Sequence, residues 1–301
     1  MRNPLGTHVQ VGPGLVAGAL ARARELGCET LQVFLGNPRG WALAEGRPAE
    51  DEAFAAACRE SGMRVFVHAP YLVNLGSPTP ATYANSVAMV AHQMRRAARI
   101  GAEGVVVHTG SYVAPAAGEG EAAARHAAAL RQVREGLLPV LAEADAAHGD
   151  GDGPLLLLEP TAGQGRSLCA GVPDLAEYLA ALDDHPRAAV CLDTCHVFAA
   201  GAPLDEPGGT AATLAELEAV AGAGRLRLVH ANDSKDPRGS MKDRHEKLGR
   251  GHIGEDCFAE LLAHPTTAGV PLILETPGSR EPEDPDLVLL RRLRDAATTS
   301  S

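Results

Sequence analysis

Short apolar runs alternate with longer stretches of helical period from one end of the chain to the other. The pattern predicts strands at 5–10, 30–35, 64–69, 104–109, 155–160, 189–194, 226–231 and 272–276. Several are unbroken, such as Val105-Val106-Val107 and Leu155 to Leu158. Continuous rather than alternating hydrophobicity marks a strand covered on both faces, as in a parallel sheet. Between the strands, Ala-, Leu- and Arg-rich segments predict helices near 13–26, 49–61, 81–100, 121–147, 172–182, 211–221, 255–262 and 285–296. Gly27, Gly62 and Gly101 fall just past three of them, where a helix commonly stops.

Eight strand–helix units in 301 residues predict an α/β fold, a (β/α)8 TIM barrel, with the active site at the C-terminal ends of the strands. No break in composition divides residues 1–296, which read as one domain; the tail 297–301 is expected to be disordered. A doubly wound sheet is the competing architecture. It usually has fewer strands, and no GxGxxG follows the first strand here. Gly12-Pro13-Gly14 is too short to cradle a phosphate and reads as a turn, while 114–120 and the acidic 149–153 read as surface loops.

Composition changes this picture little. A hydrophobic content of 45% supports a full core. The formal charge of −11 argues against a generally basic nucleic-acid-binding surface, though not against a locally positive groove. The six cysteines form no CxxC pair and lie mostly in apolar contexts, as small buried hydrophobes do. No secretory signal precedes the first strand, and no apolar run is long enough to span a bilayer. The expectation is a soluble, cytoplasmic protein with no membrane partner.

In a barrel of this kind chemistry gathers at the carboxyl ends of the strands. Read in order, those ends carry His68, His108, Glu159, Asp193, His230 and Glu275, one from each strand from the third to the eighth. The loops add His196, three residues after Asp193, and the pair Asp243 and His245, whose spacing puts both on one side of an extended segment. Taken singly, a strand-end His bonds a backbone carbonyl and a Glu there holds an Arg as readily as either binds a metal. Six in succession are different, because burying so many ionisable groups is costly unless something pairs with them.

Divalent cations would do so. Five imidazoles and four carboxylates suit Zn2+, with Mn2+ or Fe2+ admissible, better than Mg2+ or Ca2+. Nine side chains are too many for one metal. Three metals sharing a carboxylate would keep open positions. Open positions on adjacent metals suit phosphoryl hydrolysis, in which one metal makes hydroxide from water and the others hold the phosphate and leaving oxygen.

The segments that carry these residues are Val67-His68-Ala69-Pro70-Tyr71, Val107-His108-Thr109-Gly110, Glu159 to Gly165, Leu192-Asp193-Thr194-Cys195-His196, His230 to Lys235, Asp243-Arg244-His245 with Leu248-Gly249, and Leu274-Glu275-Thr276. In content and order, from the first strand to the last, they resemble the endonuclease IV family of apurinic/apyrimidinic endonucleases. Glu159 to Gly165 and Asp193 to His196 are the sharpest matches.

The resemblance implies a barrel with three zinc ions that repairs duplex DNA containing abasic sites. His68, His108 and Glu159 would hold one ion, and Glu159 would bridge to a second completed by Asp193, His230 and Glu275. His196, Asp243 and His245 would hold the third. The family cuts 5′ to an abasic site, leaving a 3′-hydroxyl and a 5′-deoxyribose phosphate. It uses a metal-bound hydroxide as nucleophile, which Glu159 would orient and Glu275 would assist as a base. Two departures stand out. Pro160 follows the bridging Glu where the family commonly has Asn, and the last strand continues as Thr276-Pro277-Gly278 rather than in the usual way.

DNA affinity in such an enzyme comes largely from phosphate contacts. The loop after the seventh strand offers Lys235, Arg238, Lys242, Arg244, Lys247 and Arg250. By resemblance Arg39, Tyr71 and Leu72 would enter the duplex to fill the gap left by the displaced abasic sugar. Trp41 is read as a loop-packing residue, and His92, His126, His148, His185 and His264 as surface or packing histidines. The chain is expected to act as a monomer. A competing assignment is a metal-dependent sugar isomerase or epimerase on the same barrel, which needs only Glu159, Asp193, His230 and Glu275. A metal-stabilised DNA-binding protein that has lost catalysis is the non-enzymatic one.

Overall fold

The computed structural model describes residues 2–112, 118–149, 153–277 and 283–299. Its strands are β1 Leu5–His8, β2 Thr30–Val33, β3 Arg64–His68, β4 Gly104–His108, β5 Leu155–Glu159, β6 Ala188–Asp193, β7 Leu226–His230, β8 Asp233–Ser234, β9 His245–Glu246 and β10 Leu272–Leu274. Seven of these, β1 to β7, pair in sequence and in parallel, and β10 closes the ring between β7 and β1. The eight-stranded parallel barrel expected from the hydrophobic pattern is therefore formed. β8 and β9 make a separate antiparallel ribbon in the loop after β7.

Alternate residues of each barrel strand face inward. Phe66, Val106, Leu157, Ala189, Cys191, Leu228 and Ile273 form a small inner core, all at most 3% exposed. The opposite faces pack under the helices in a larger jacket that includes Leu31, Val67, Val105, Val107, Leu158 and Val190. Burial on both faces is why these strands read as unbroken apolar runs. Close packing of β1 on β2 depends on Gly6, where a Cβ would lie 1.7 Å from the Thr30 carbonyl oxygen.

The helices are α1 Ala21–Glu25, α2 Pro48–Ser61, α3 Pro80–Arg99, α4 Glu119–His148, α5 Leu175–Ala181, α6 Thr194–Ala199, α7 Gly209–Ala221, α8 Glu255–Ala263 and α9 Pro285–Thr299. Four differences from the sequence reading stand out. The single helix expected over 13–26 opens as a π-helical turn, Leu15–Leu20, before α1. There the Ala19 N–H reaches back five residues to the Gly14 carbonyl, and Gly18 leaves room for the Val11 carbonyl. The short α6 was not expected; Asp193 starts it by accepting from the His196 backbone N–H at 3.0 Å. α4 begins at Glu119, so the last two residues of the expected 114–120 loop are helical; 113–117 and 150–152 lie outside the described residues. α9 runs to Thr299, into the stretch expected to be a disordered tail, and Ser300 and Ser301 lie outside the described residues.

All six cysteines are buried and unpaired with one another. Among the described residues no helix is long and apolar enough to cross a membrane.

Candidate metal centre

The period of two along each strand builds the site. His68, His108, Glu159, Asp193, His230 and Glu275 each follow by two residues an inward core residue: Phe66, Val106, Leu157, Cys191, Leu228 and Ile273 respectively. They are the next layer up, so the barrel that buries one set of side chains necessarily aims the next set at a common centre. His8 and Gln32 hold the same place on β1 and β2 and complete the ring. Sequence reading passed over both, although the same two-residue rule from Gly6 and Thr30 reaches them.

Three ligand sets meet here. His68, His108 and Glu159 form the first, Glu159, Asp193, His230 and Glu275 the second, and His196, Asp243 and His245 the third. Within each set one donor atom per residue lies within 4.8 Å of the others. The grouping is the one implied by the family resemblance. Glu159 joins the first two sets: its Oε2 faces the Nε2 atoms of His68 and His108 at 3.4 and 3.2 Å, and its Oε1 faces His230 Nδ1 at 2.8 Å. His245 Nε2 links the third set to the second, 3.2 Å from Asp243 and 3.5 Å from Asp193. The thiols of Cys191 and Cys195 also approach these sets, and burial pushes Cys191 up to about 12 and Cys195 further.

Four of the five imidazoles are held from behind. His68 Nδ1–H donates to the Ala69 carbonyl at 2.7 Å, His196 Nδ1–H to the Pro160 carbonyl at 3.1 Å and His245 Nδ1–H to the Glu275 carbonyl at 3.3 Å. That leaves Nε2 of all three facing the centre as a lone-pair donor. His230 is reversed: Nε2–H donates to Gln32 Oε1 at 2.9 Å and Nδ1 faces inward. The Gln32 amide nitrogen in turn donates to Glu275 at 2.6 Å and to His8 Nδ1 at 3.0 Å. Asn232 supports the other carboxylate, donating to Asp193 Oδ2 at 2.8 Å while its own oxygen accepts from the Glu275 backbone N–H.

Electrostatics follow from this crowding. Burial alone would raise the Glu159 carboxyl, but the imidazoles of His230 and His108 outweigh it and hold the group well below the usual range. Glu275 and Asp243 are depressed in the same way, Glu275 chiefly by His230 and Asp243 by His196 and His245. Conversely burial would lower His196, His230 and His245, yet the facing carboxylates raise His196 and His245, the latter to about 9, and Cys191 with Glu275 and Glu159 raises His230.

The buried Glu159 Oε2 and His245 Nε2 have no hydrogen-bond partner. Leaving such an atom unpaired costs on the order of 1–3 kcal/mol or more. A cation between Glu159 and the two flanking imidazoles removes that cost, and the donors present fit divalent metals. The mouth above is a pocket of about 300 Å3 lined by His68, Tyr71, His108, His196, Asp243, His245 and Glu275.

Around it, Tyr71 is 55% exposed and lies against His68 and His108, with ring centroids 5.6 and 6.0 Å away. Leu72 is half-buried and Arg39 exposed. Of the basic loop, Arg244 is held by Asp236 with both bonds at 2.5 Å, Lys242 lies 3.4 Å from the same carboxylate, and Arg238 pairs with Glu206 at 2.6 Å and Asp205 at 3.2 Å. Lys235 is exposed. Trp41 packs partly buried against the main core, as expected for a loop-packing residue.

A parallel barrel with a carboxylate–imidazole ring at its C-terminal mouth defines a xylose isomerase-like TIM barrel, and the sequence profile of that family matches residues 20–296. The chain is 53% identical over 294 residues to a Streptomyces coelicolor protein named "Probable endonuclease 4", covering 98% of this chain and 96% of the relative. A Methanoculleus marisnigri protein of the same name is 39% identical, with 91% and 92% covered. The crystal structure of endonuclease IV from Thermus thermophilus superposes with a TM-score of 0.79 at 33% identity, covering 99% of this chain and all of that one. The chain belongs to the endonuclease IV family. A D-tagatose 3-epimerase-like protein shares the barrel at 18% identity and a TM-score of 0.69, a likeness of fold alone.

Proposed function

We propose that this protein is a DNA-repair endonuclease that hydrolyses the phosphodiester 5′ to abasic sites in duplex DNA, leaving a 3′-hydroxyl and a 5′-deoxyribose phosphate. The observation that carries the reading is three ligand sets in one pocket, two of them sharing Glu159. A sugar isomerase would use the Glu159, Asp193, His230 and Glu275 set and leave the other five ligands without a task. The relatives named endonuclease 4 and the endonuclease IV structure support the same choice.

Three zinc ions would be held by the three sets. When bound, such ions supply Lewis acidity toward a phosphate oxygen and allow water to ionise near neutral pH. The chain's own groups do the rest. Glu159 and Glu275 stay ionised; Glu159 would orient the attacking water and Glu275 would assist as a base. Tyr71, whose phenol burial pushes up to about 12, stays neutral and presents a ring at the mouth. Arg39, Tyr71 and Leu72 would enter the gap left when the abasic sugar moves into the pocket. Lys235, Arg238, Lys242 and Arg244 would meet the phosphates, the last three by exchanging their present carboxylate partners. All nine ligands come from one chain, so a monomer suffices; the working compartment is the cytoplasm.

The test is nicking of a duplex with a single abasic analogue, with metal content measured on the same sample. Asp243→Ala is expected to lose one ion and more than about 100-fold in rate, since removing even a ligand's supporting contact costs 10–100-fold. Undiminished nicking by that variant, or none by the metal-loaded native protein, would sink the proposal.

A further inference from the structure

Among the described residues only Asp183, Asp184 and Met241 combine a side chain with a positive φ. Asp tolerates the left-handed region; a long apolar residue there is strained, and glycine would not be. Met241, at φ 55°, is nevertheless held firmly. Its N–H donates to the Ala199 carbonyl at 3.0 Å, and Gly239 N–H donates to the Phe198 carbonyl at 3.1 Å. Both tie the segment to the end of α6, the helix that carries His196. Strain that the surroundings enforce in this way collects at functional positions.

The side chain is not buried in return. Met241 is 58% exposed, and its Cγ lies 3.7 Å from where a Cβ on Gly163 would be, over the loop that follows Glu159. It precedes the ligand Asp243 by two residues. Of the four exposed large apolar side chains among the described residues, Tyr71 lines the pocket, while Met241 lies two residues before Asp243, which also lines it. A lone exposed Met is ordinary. This one is fixed in a strained conformation, two residues from a residue that lines the metal pocket and over the loop that follows Glu159.

We propose that Met241 packs its thioether against the base of the nucleotide flanking the abasic site. The inference rests on the endonuclease reading above. Every base has a polarisable face that a thioether contacts favourably, so the interaction holds the strand without reading its sequence.

Nicking kinetics of Met241→Ala, Met241→Gly and Met241→Leu test it, with metal content and melting temperature measured for each. The Ala and Gly variants are expected to raise KM by about tenfold, the upper end for a thioether–aromatic contact, with the loss in KM rather than kcat; Leu should recover most of it. On duplexes carrying a second abasic analogue on one flank or the other, the Ala penalty should vanish for one of the two placements, because the contacted base is gone. Wild-type KM in Met241→Ala, a penalty equal in every duplex, or a loss of metal in that variant would each overturn the contact while leaving the endonuclease reading intact. Native protein that nicks none of these duplexes would overturn both.

Discussion

At the scale of single residues the centre is organised by what stands behind each ligand. Pro160 illustrates it: the residue carries no side-chain donor, yet its carbonyl accepts the His196 Nδ1–H, so the backbone alone fixes that ring. The same crowding makes stability depend on pH when metal is removed. His245 is raised from about 6.5 to about 9, because Asp193 and Asp243 outweigh the opposing effect of burial. A raised pKa contributes stability in full below the unfolded value and loses it as pH rises through the folded one. Metal-stripped protein should therefore lose on the order of 2 kcal/mol between about pH 6.5 and about 9. Its urea midpoint should fall over that window. The metal-loaded protein should stay flat there, because a cation and not a proton occupies the site. Parallel profiles for the two forms would contradict the account.

Secondary elements set the register of that chemistry. β1 and β2 bring His8 and Gln32 to the ring only because Gly6 lets the strands approach. Gly6→Ala would drive a methyl into the Thr30 carbonyl; it should cost about 3 kcal/mol and lower the melting temperature measured calorimetrically. A wild-type melting temperature would show that the strands separate without penalty. The β8–β9 ribbon performs a comparable service for the third ligand set. Buried Asp233 accepts from the backbone N–H groups of Ser234, Gly251 and Ile253, closing the loop that presents Asp243 and His245.

The molecule as a whole is acidic, with a charge of −11, while its proposed ligand is a polyanion. Binding must then rest on the few cations at the mouth, three of which already hold carboxylates. Affinity for an abasic duplex should fall steeply with salt. Lys235→Ala should weaken binding to all sequences alike and reduce the log–log salt slope by about 1, measured by fluorescence anisotropy. An unchanged slope would remove Lys235 from the phosphate contacts.

Much of this was legible in the sequence. Eight apolar runs with intervening helices determine the barrel, because strands covered on both faces admit few other closures. The six polar residues that end the last six strands mark one end of that barrel as the site. What local pattern did not reveal was set by contacts distant in sequence. His8 and Gln32 become part of the ring only once β1 closes against β10 and β2. The ion pairs that hold Arg238 and Arg244 join the loop after β7 to the loop after α6 or fold it back on Asp236. α6 is too short to show a helical period, and Met241 carries no sign in its neighbours that its backbone is left-handed. Periodicity is a local property and was enough for the fold. Which nitrogen of His196, His230 and His245 faces the centre, and that Arg238 is already paired, depend on groups tens to hundreds of residues apart, and those only the closed barrel brings together.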